Sequence, residues 1–177
     1  MRVTFIMKVT SPMRRTSFKS MDCPIARSLE RVGEWWSILI LRDAFAGMTR
    51  FDEFSESLGI APNMLTRRLQ GLVKSGLLAR RRYSAHPPRY EYLLTERGRD
   101  FRPVLTAMLA FGNRHFAPEG ASVVVVDAAT GAIAEPILVD RASGRIIAEP
   151  DFIVAAGPAA NAATRARMAA RAERVSK

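Results

Sequence analysis

The chain has 177 residues, 48% hydrophobic and 25% charged, which suits one domain of ordinary composition with room for an appendage. One cysteine and two histidines exclude a disulfide scaffold, a four-thiolate zinc site and a histidine-rich metal centre, and nothing approaches the run of about eighteen apolar residues that a membrane-spanning helix needs. Twenty-seven Lys and Arg against seventeen Asp and Glu leave a net charge of +10, a surplus that a polyanionic partner usually explains. The expectation is a soluble, cytoplasmic protein with no cofactor, no metal and no membrane partner.

Residues 1–20 carry five basic groups and no acid, and read as a flexible basic arm. From Pro24 the pattern is helical: Asp22 is placed to cap, Pro24 suits a first turn, Ile25, Leu29 and Val32 recur at helical spacing, and Gly33 breaks the helix. Trp35 to Ala46 is an apolar helix that must be largely buried, ended by Gly47. Trp36 reads as core, whereas Trp35 could line a dimer cleft. Phe51–Leu58 is a third short helix, Gly59-Ile60-Ala61-Pro62 a turn, and Pro62 to about Ser75 a fourth helix with Leu65, Leu69, Leu72 and Val73 inward, stopped by Gly76. Two helices across a glycine turn make a helix-turn-helix.

Leu77–Tyr83 and Tyr90–Leu94 follow as strands of a hairpin whose tip, Ser84 to Arg89, is stiffened by Pro87 and Pro88. Thr95 then caps a long helix with Phe101, Leu105, Met108 and Phe111 on an apolar stripe, kinked at Pro103. Beyond Pro118 the composition turns β-rich. Strands are expected at Ser122–Val126 and Pro136–Val139, joined by a turn around Ala129-Thr130-Gly131. A second turn at Ser143-Gly144 leads to Arg145–Ala148, and Asp151–Ala155 is a further short strand. From Ala159 the chain is rich in Ala and Arg, helical and then frayed. No internal repeat is long enough for a solenoid. The division is thus a basic arm (1–20), a winged helix-turn-helix domain (21–116), a small β-rich extension (117–158) and an Ala/Arg tail (159–177), an α+β fold.

Charge and element order together point to DNA. No acid occurs between Glu56 and Glu91, whereas Arg67, Arg68, Lys74, Arg80, Arg81, Arg82 and Arg89 all fall there. In a winged helix the second helix of the motif enters the major groove, where Arg pairs bidentately with guanine and Asn or Gln with adenine. Asn63, Met64, Thr66, Arg67, Arg68 and Gln70 are the outward positions of that helix. Arg80 and Arg82 share one face of the hairpin, and His86 and Arg89 at its tip are shaped to reach a minor groove or its phosphates. The bland alternative is a wet helix face and a solvated basic hairpin.

Seven segments resemble one family, the HxlR-type winged helix-turn-helix regulators of the MarR-like superfamily. They are Cys23-Pro24-Ile25-Ala26-Arg27, Gly33-Glu34-Trp35-Trp36, Ile40-Leu41-Arg42-Asp43, Arg50-Phe51-Asp52-Glu53-Phe54, Asn63-Met64-Leu65-Thr66-Arg67-Arg68-Leu69, Pro87-Pro88-Arg89-Tyr90-Glu91-Tyr92 and Leu94-Thr95-Glu96-Arg97-Gly98. The resemblance runs from about Ser20 to Gly112. It implies a bacterial, homodimeric transcription regulator that binds double-stranded DNA, with a dimer built from the helices at about 24–32 and 96–115. The tail is similar to an extension on some relatives, in certain of which a paired-cysteine turn stands where this chain has Asp140-Arg141-Ala142-Ser143-Gly144. The thiols are absent here, so no metal role carries over.

Cys23 precedes a helix N-terminus and has Arg27 one turn on, an environment that favours thiolate. In some relatives a cysteine at the matching place senses quinones, aldehydes or hypochlorite. The expectation set against an inert packed thiol is therefore a redox or electrophile sensor, with a small-molecule effector as a further partner. The leading function is a repressor on a pseudo-palindromic operator. Its rivals are a sequence-independent architectural or RNA-binding winged helix, and a thiol enzyme for which His86 and His115 lie on elements that do not converge on Cys23.

Overall fold

The computed structural model describes Phe18 and residues 21–175, so the basic arm, Phe18 apart, lies outside the described residues. Four helices come first: α1 (Pro24–Val32), α2 (Trp35–Phe45), α3 (Phe51–Leu58) and α4 (Pro62–Lys74). The hairpin β1 (Leu78–Ser84) and β2 (Arg89–Leu94) follows, then α5 (Glu96–Arg99), α6 (Arg102–His115), the short strands β3 (Val125–Val126) and β4 (Ile133–Ala134), and α7 (Ala162–Val175).

The apolar helix α2 is the hub. It packs against α1, α3, α4, β2 and α6. Ile40 and Leu41 meet Phe54 of α3, Leu65, Leu69 and Leu72 of α4, and Leu78 of β1 in one core from which water is excluded. Leu65, Leu69 and Leu72 stand at helical spacing, so one stripe of α4 is committed inward and the opposite face is left to solvent. Trp36 packs against this core as expected, and Trp35 is 73% exposed. Two carboxylates fix α3 beneath α2. Buried Asp43 accepts from Ser57 Oγ at 2.8 Å and from Arg42 Nε at 2.8 Å. Glu53 accepts the N–H groups of Thr49 (2.7 Å) and Arg50 (2.8 Å), which hold its carboxyl below the usual range.

The hairpin pairs Leu78 with Leu94, Arg80 with Tyr92 and Arg82 with Tyr90, with a bulge before Ser84. A contact not foreseen from sequence adds the loop before α3 to its edge: Arg50 bridges Glu91, and Tyr92 donates its N–H to Thr49 O at 2.7 Å. Thr95 caps α5, its Oγ1 accepting from Gly98 N at 3.0 Å and donating to Gly76 O at 2.7 Å. Gly98 sits so close to the Leu77 carbonyl that a Cβ would collide with backbone, which is why a glycine stands at the third position of α5.

Five expectations need correction. The helix after the wing is broken rather than kinked: α5 ends at Arg99 and α6 starts at Arg102, with Pro103 in its first turn, where a missing N–H costs nothing. Its stripe splits accordingly, Phe101 and Leu105 turning to the core while Met108 and Phe111 face outward. Asp22 does not cap α1, whose N-cap is Cys23. Its carboxylate instead takes the N–H of Asn161 (3.2 Å) and the hydroxyl of Thr164 (3.1 Å) at the start of α7, contacts that lower its pKa.

In the extension, Val125–Val126 pair with Ile133–Ala134, directly across the expected turn, and not with Pro136–Val139. Val139 bridges Ile146 across the second turn, and Asp151–Ala155 forms no strand. The reason is a short duplication. Asp127-Ala128-Ala129-Thr130-Gly131 and Asp140-Arg141-Ala142-Ser143-Gly144 fold alike, each closing locally. Asp127 accepts from Thr130 N (2.8 Å) and Thr130 Oγ1 (3.0 Å), and Asp140 from Ser143 N (2.9 Å) and Ser143 Oγ. Gly131 (φ 71°) and Gly144 (φ 69°) provide the left-handed residue after each.

These hydrogen bonds hold both carboxyls below the usual range, that of Asp127 through the Thr130 N–H first and that of Asp140 through the Ser143 hydroxyl first. A carboxyl whose folded pKa is depressed stabilises above its unfolded pKa, and that stabilisation is lost as pH falls through the folded value. The amide resonances of Thr130 and Ser143 should therefore stay unchanged from neutrality down to the range where an exposed aspartate titrates, and move only below it. Midpoints at the ordinary aspartate value in a two-dimensional NMR titration would contradict the assignment.

Candidate nucleic-acid interface

The outward face of α4 is set by what its inward face buries. Asn63, Thr66, Arg67 and Gln70 are exposed along it, with Lys74 at its end. Thr66 donates its hydroxyl to Pro62 O at 2.8 Å and keeps only acceptor capacity. Met64 is half-buried against the core, so it supports the helix rather than standing free on its surface.

Arg68 departs most from its expected place. It turns into a cleft between α1 and α4, also lined by Arg27, Arg31, Glu34 and Lys74 and edged by Arg67, and its side chain is only 17% exposed. There it pairs with Glu34 Oε2 at 2.8 Å, at the N-cap of α2. Its Nε is enclosed without a hydrogen-bond partner among the described residues. Arg68 thus ties the exposed helix to the hub, and Arg67 is the arginine left facing out. The next turn is anchored similarly: Arg97 donates to Ser75 O at 3.0 Å, satisfying a carbonyl at the C-terminus of α4.

The wing divides its cations the same way. Arg80 lies 3.5 Å over the Tyr90 ring, on the face it shares with Arg82. Arg82 folds back onto the tip, donating to Ser84 O (3.0 Å) and Ala85 O (2.6 Å). Arg81, on the other face, pairs with Glu91 at 2.6 Å. His86 and Arg89 are exposed at the tip and the start of β2. Arg50, absent from the sequence-derived set, reaches over the Tyr83 ring at 4.9 Å and brings another cation to the wing. No motif marks it, because only the sheet contact of its loop puts it there.

Cys23 is half-buried at the N-cap of α1, a helix that packs against both α2 and α4. Neither histidine belongs to a cluster of potential metal ligands among the described residues, and no helix there is long and apolar enough to cross a membrane.

Comparison with known proteins agrees with this architecture. The model of the HxlR-like helix-turn-helix family matches residues 31–120. An uncharacterized HTH-type transcriptional regulator of Mycobacterium tuberculosis, Rv3095, is 38% identical over 135 residues, spanning 76% of this chain and 85% of its own. The structure of PA1374, a candidate transcription factor from Pseudomonas aeruginosa, is 56% identical and covers 82% of this chain and 99% of its own, with a TM-score of 0.61. The redox regulator HypR in its reduced form is 32% identical over 55% of this chain and 99% of its own, with a TM-score of 0.50.

The pair between Glu34 and Arg68 generates a test. In a double-mutant cycle with Glu34→Gln and Arg68→Met followed by urea denaturation, the coupling energy should fall at about 0.5–3 kcal/mol, the range for contacting charged partners. A coupling within error of zero would mean that the two side chains act independently and that Arg68 is free to leave the cleft.

Proposed function

The chain belongs to the HxlR-like family of helix-turn-helix transcription regulators, and from that premise we propose that it is a homodimeric repressor of a pseudo-palindromic operator. α4 enters the major groove, and the wing lies over the minor groove or its backbone. The observation that carries this reading is the outward stripe Asn63, Arg67 and Gln70 on a helix whose other faces are committed to the core. These side chains read base edges, with Thr66 beside them as an acceptor. Arg80, Arg89 and His86 meet the sugar-phosphate backbone, Arg82 stiffens the tip they stand on, and Met64 and Arg68 hold α4 in place. The working units are residues 21–116 for DNA and dimer, the extension 117–158 and the tail 159–177, with residues 1–20 as a basic arm.

The dimer reading is supported by large apolar side chains left exposed. Val104, Met108 and Phe111 form an exposed row on α6, Phe111 at 58%, and Leu29 on α1 is 43% exposed. A chain that leaves such a row to water commonly buries it against a partner. Two copies would then present their recognition helices roughly 34–36 Å apart, one helical turn of DNA. Met108→Glu with Phe111→Glu should give a folded monomer by light scattering and circular dichroism, and operator affinity should fall by at least about tenfold as the second half-site is lost. A dimer that persists in this variant would place the interface elsewhere.

Cys23 is proposed as the sensor of this regulator. The similarity to a redox regulator supports that reading, as does the half-buried position of the thiol at the head of α1, an element of the proposed dimer. The experiment that tests the function is binding to DNA upstream of the protein's own and neighbouring genes, against competitor DNA, with and without diamide. Specific binding lost on oxidation and retained by Cys23→Ser is expected. Binding without sequence preference would indicate the architectural or RNA-binding alternative. Within that assay, Arg67→Ala should cost roughly 1–3 kcal/mol and relax specificity at one position. Arg89→Ala should weaken all sequences alike and reduce the salt slope by about one.

A further inference from the structure

A cleft lies between α1 and the C-terminal helix α7. Its volume is about 820 Å³, within the range of small-molecule sites. It is bounded by residues 22–27 on one side and by residues 154–174 on the other. None of them falls within the 31–120 segment matched by the family model.

Its chemistry is uneven in a way that selects a ligand. The floor is apolar, with Ile25, Val154 and Met168 exposed into it together with prolines and alanines. Along one wall α7 presents Arg167, Arg171 and Arg174, recurring on one helical face with Met168 between them. The carboxylate in the lining, Asp22, is already engaged by Arg27, Asn161 and Thr164 at the cleft's end. Arg171 has Glu149 across 4.0 Å. A concave apolar surface beside Arg174, which no carboxylate bridges among the described residues, and Arg167, which shares Asp22 with Arg27, fits a molecule that is apolar over most of its body and anionic at one end.

We propose that this cleft binds an amphipathic carboxylate, its apolar body against Ile25, Val154 and Met168 and its carboxylate on Arg167 and Arg174. A planar carboxylate matches the paired N–H groups of guanidinium. Cys23 lines the same cleft, so a ligand bound there would shield the thiol, which gives a reporter independent of DNA. The site stands or falls separately from the repressor reading, because the test involves no operator.

The test uses the full chain and 2-naphthoate as probe, with the neutral isostere 2-naphthamide as control, by calorimetric titration and by the rate of Cys23 alkylation with iodoacetamide. Naphthoate should bind one to one and slow alkylation several-fold, and naphthamide should bind at least about tenfold more weakly, as expected for loss of a charge-assisted pair. R167Q/R174Q should bring naphthoate down to the level of the amide. R165Q, on the same helix but outside the cleft, should leave it unchanged, and circular dichroism establishes that each variant keeps its helix. Equal affinity for acid and amide, undiminished naphthoate binding in R167Q/R174Q, or no binding of naphthoate at millimolar concentration would each overturn the proposal.

Discussion

The constraint on which everything else depends is that α2 is apolar over most of its surface. A helix with Trp36, Ile40, Leu41 and Ala44 facing different neighbours must be surrounded, and here α1, α3, α4, β2 and α6 surround it. Each fully buried Leu, Ile or Phe contributes about 1.5–3 kcal/mol through removal from water, so the seven large side chains with no exposure dominate the stability of this domain. The DNA-facing surface follows from this packing. Leu65, Leu69 and Leu72 fix the rotation of α4 about its own axis, and that rotation decides that Asn63, Arg67 and Gln70 look outward.

Polar contacts then refine what the core has oriented. Glu34 and Arg68 close the space between the start of α2 and the middle of α4, while Arg97 closes it at the end of α4. Asp43 and Glu53 do the same for α3. These groups sit at helix ends or in the gaps between helices, where apolar packing alone leaves N–H and C=O groups unsatisfied. The helix-turn-helix is therefore held as one rigid piece with the hub, which is what a surface that must fit a groove requires.

The sequence was legible wherever a buried stripe or a turn residue imposed a period. The bounds of α1 to α4 follow from Pro24, Gly33, Pro62 and Gly76 set against the apolar spacing, and the hairpin from its alternation around two prolines. Legibility failed where the deciding contact is long in sequence. Nothing near Asp22 reveals that its partner is Asn161. Nothing near Arg50 reveals the edge of the hairpin. Within α4, periodicity sorts Leu65 from Arg67 but cannot separate Arg67 from Arg68, because the difference lies in Glu34. The extension was misread for another reason. Every described residue of 117–174 is exposed or half-buried, so no core selects among pairings, and the short Asp-to-Gly turns decide them locally.

A basic run is consequently a poor map of a DNA-binding surface until its internal partners are known. In the stretch without acids, Arg68 serves Glu34, Arg81 serves Glu91 from the strand beyond, Arg82 serves the carbonyls of its own tip, and Arg80 is laid on Tyr90. Each of these cations does structural service at modest electrostatic expense, because the groups it satisfies would otherwise be solvated or orphaned. What remains without such a partner among the described residues is Arg67 and Lys74 on the helix and Arg89 on the wing. The net charge favours a polyanion from a distance, and in the proposed reading only the side chains on α4 that face base edges, Arg67 with Asn63 and Gln70, would distinguish one sequence from another.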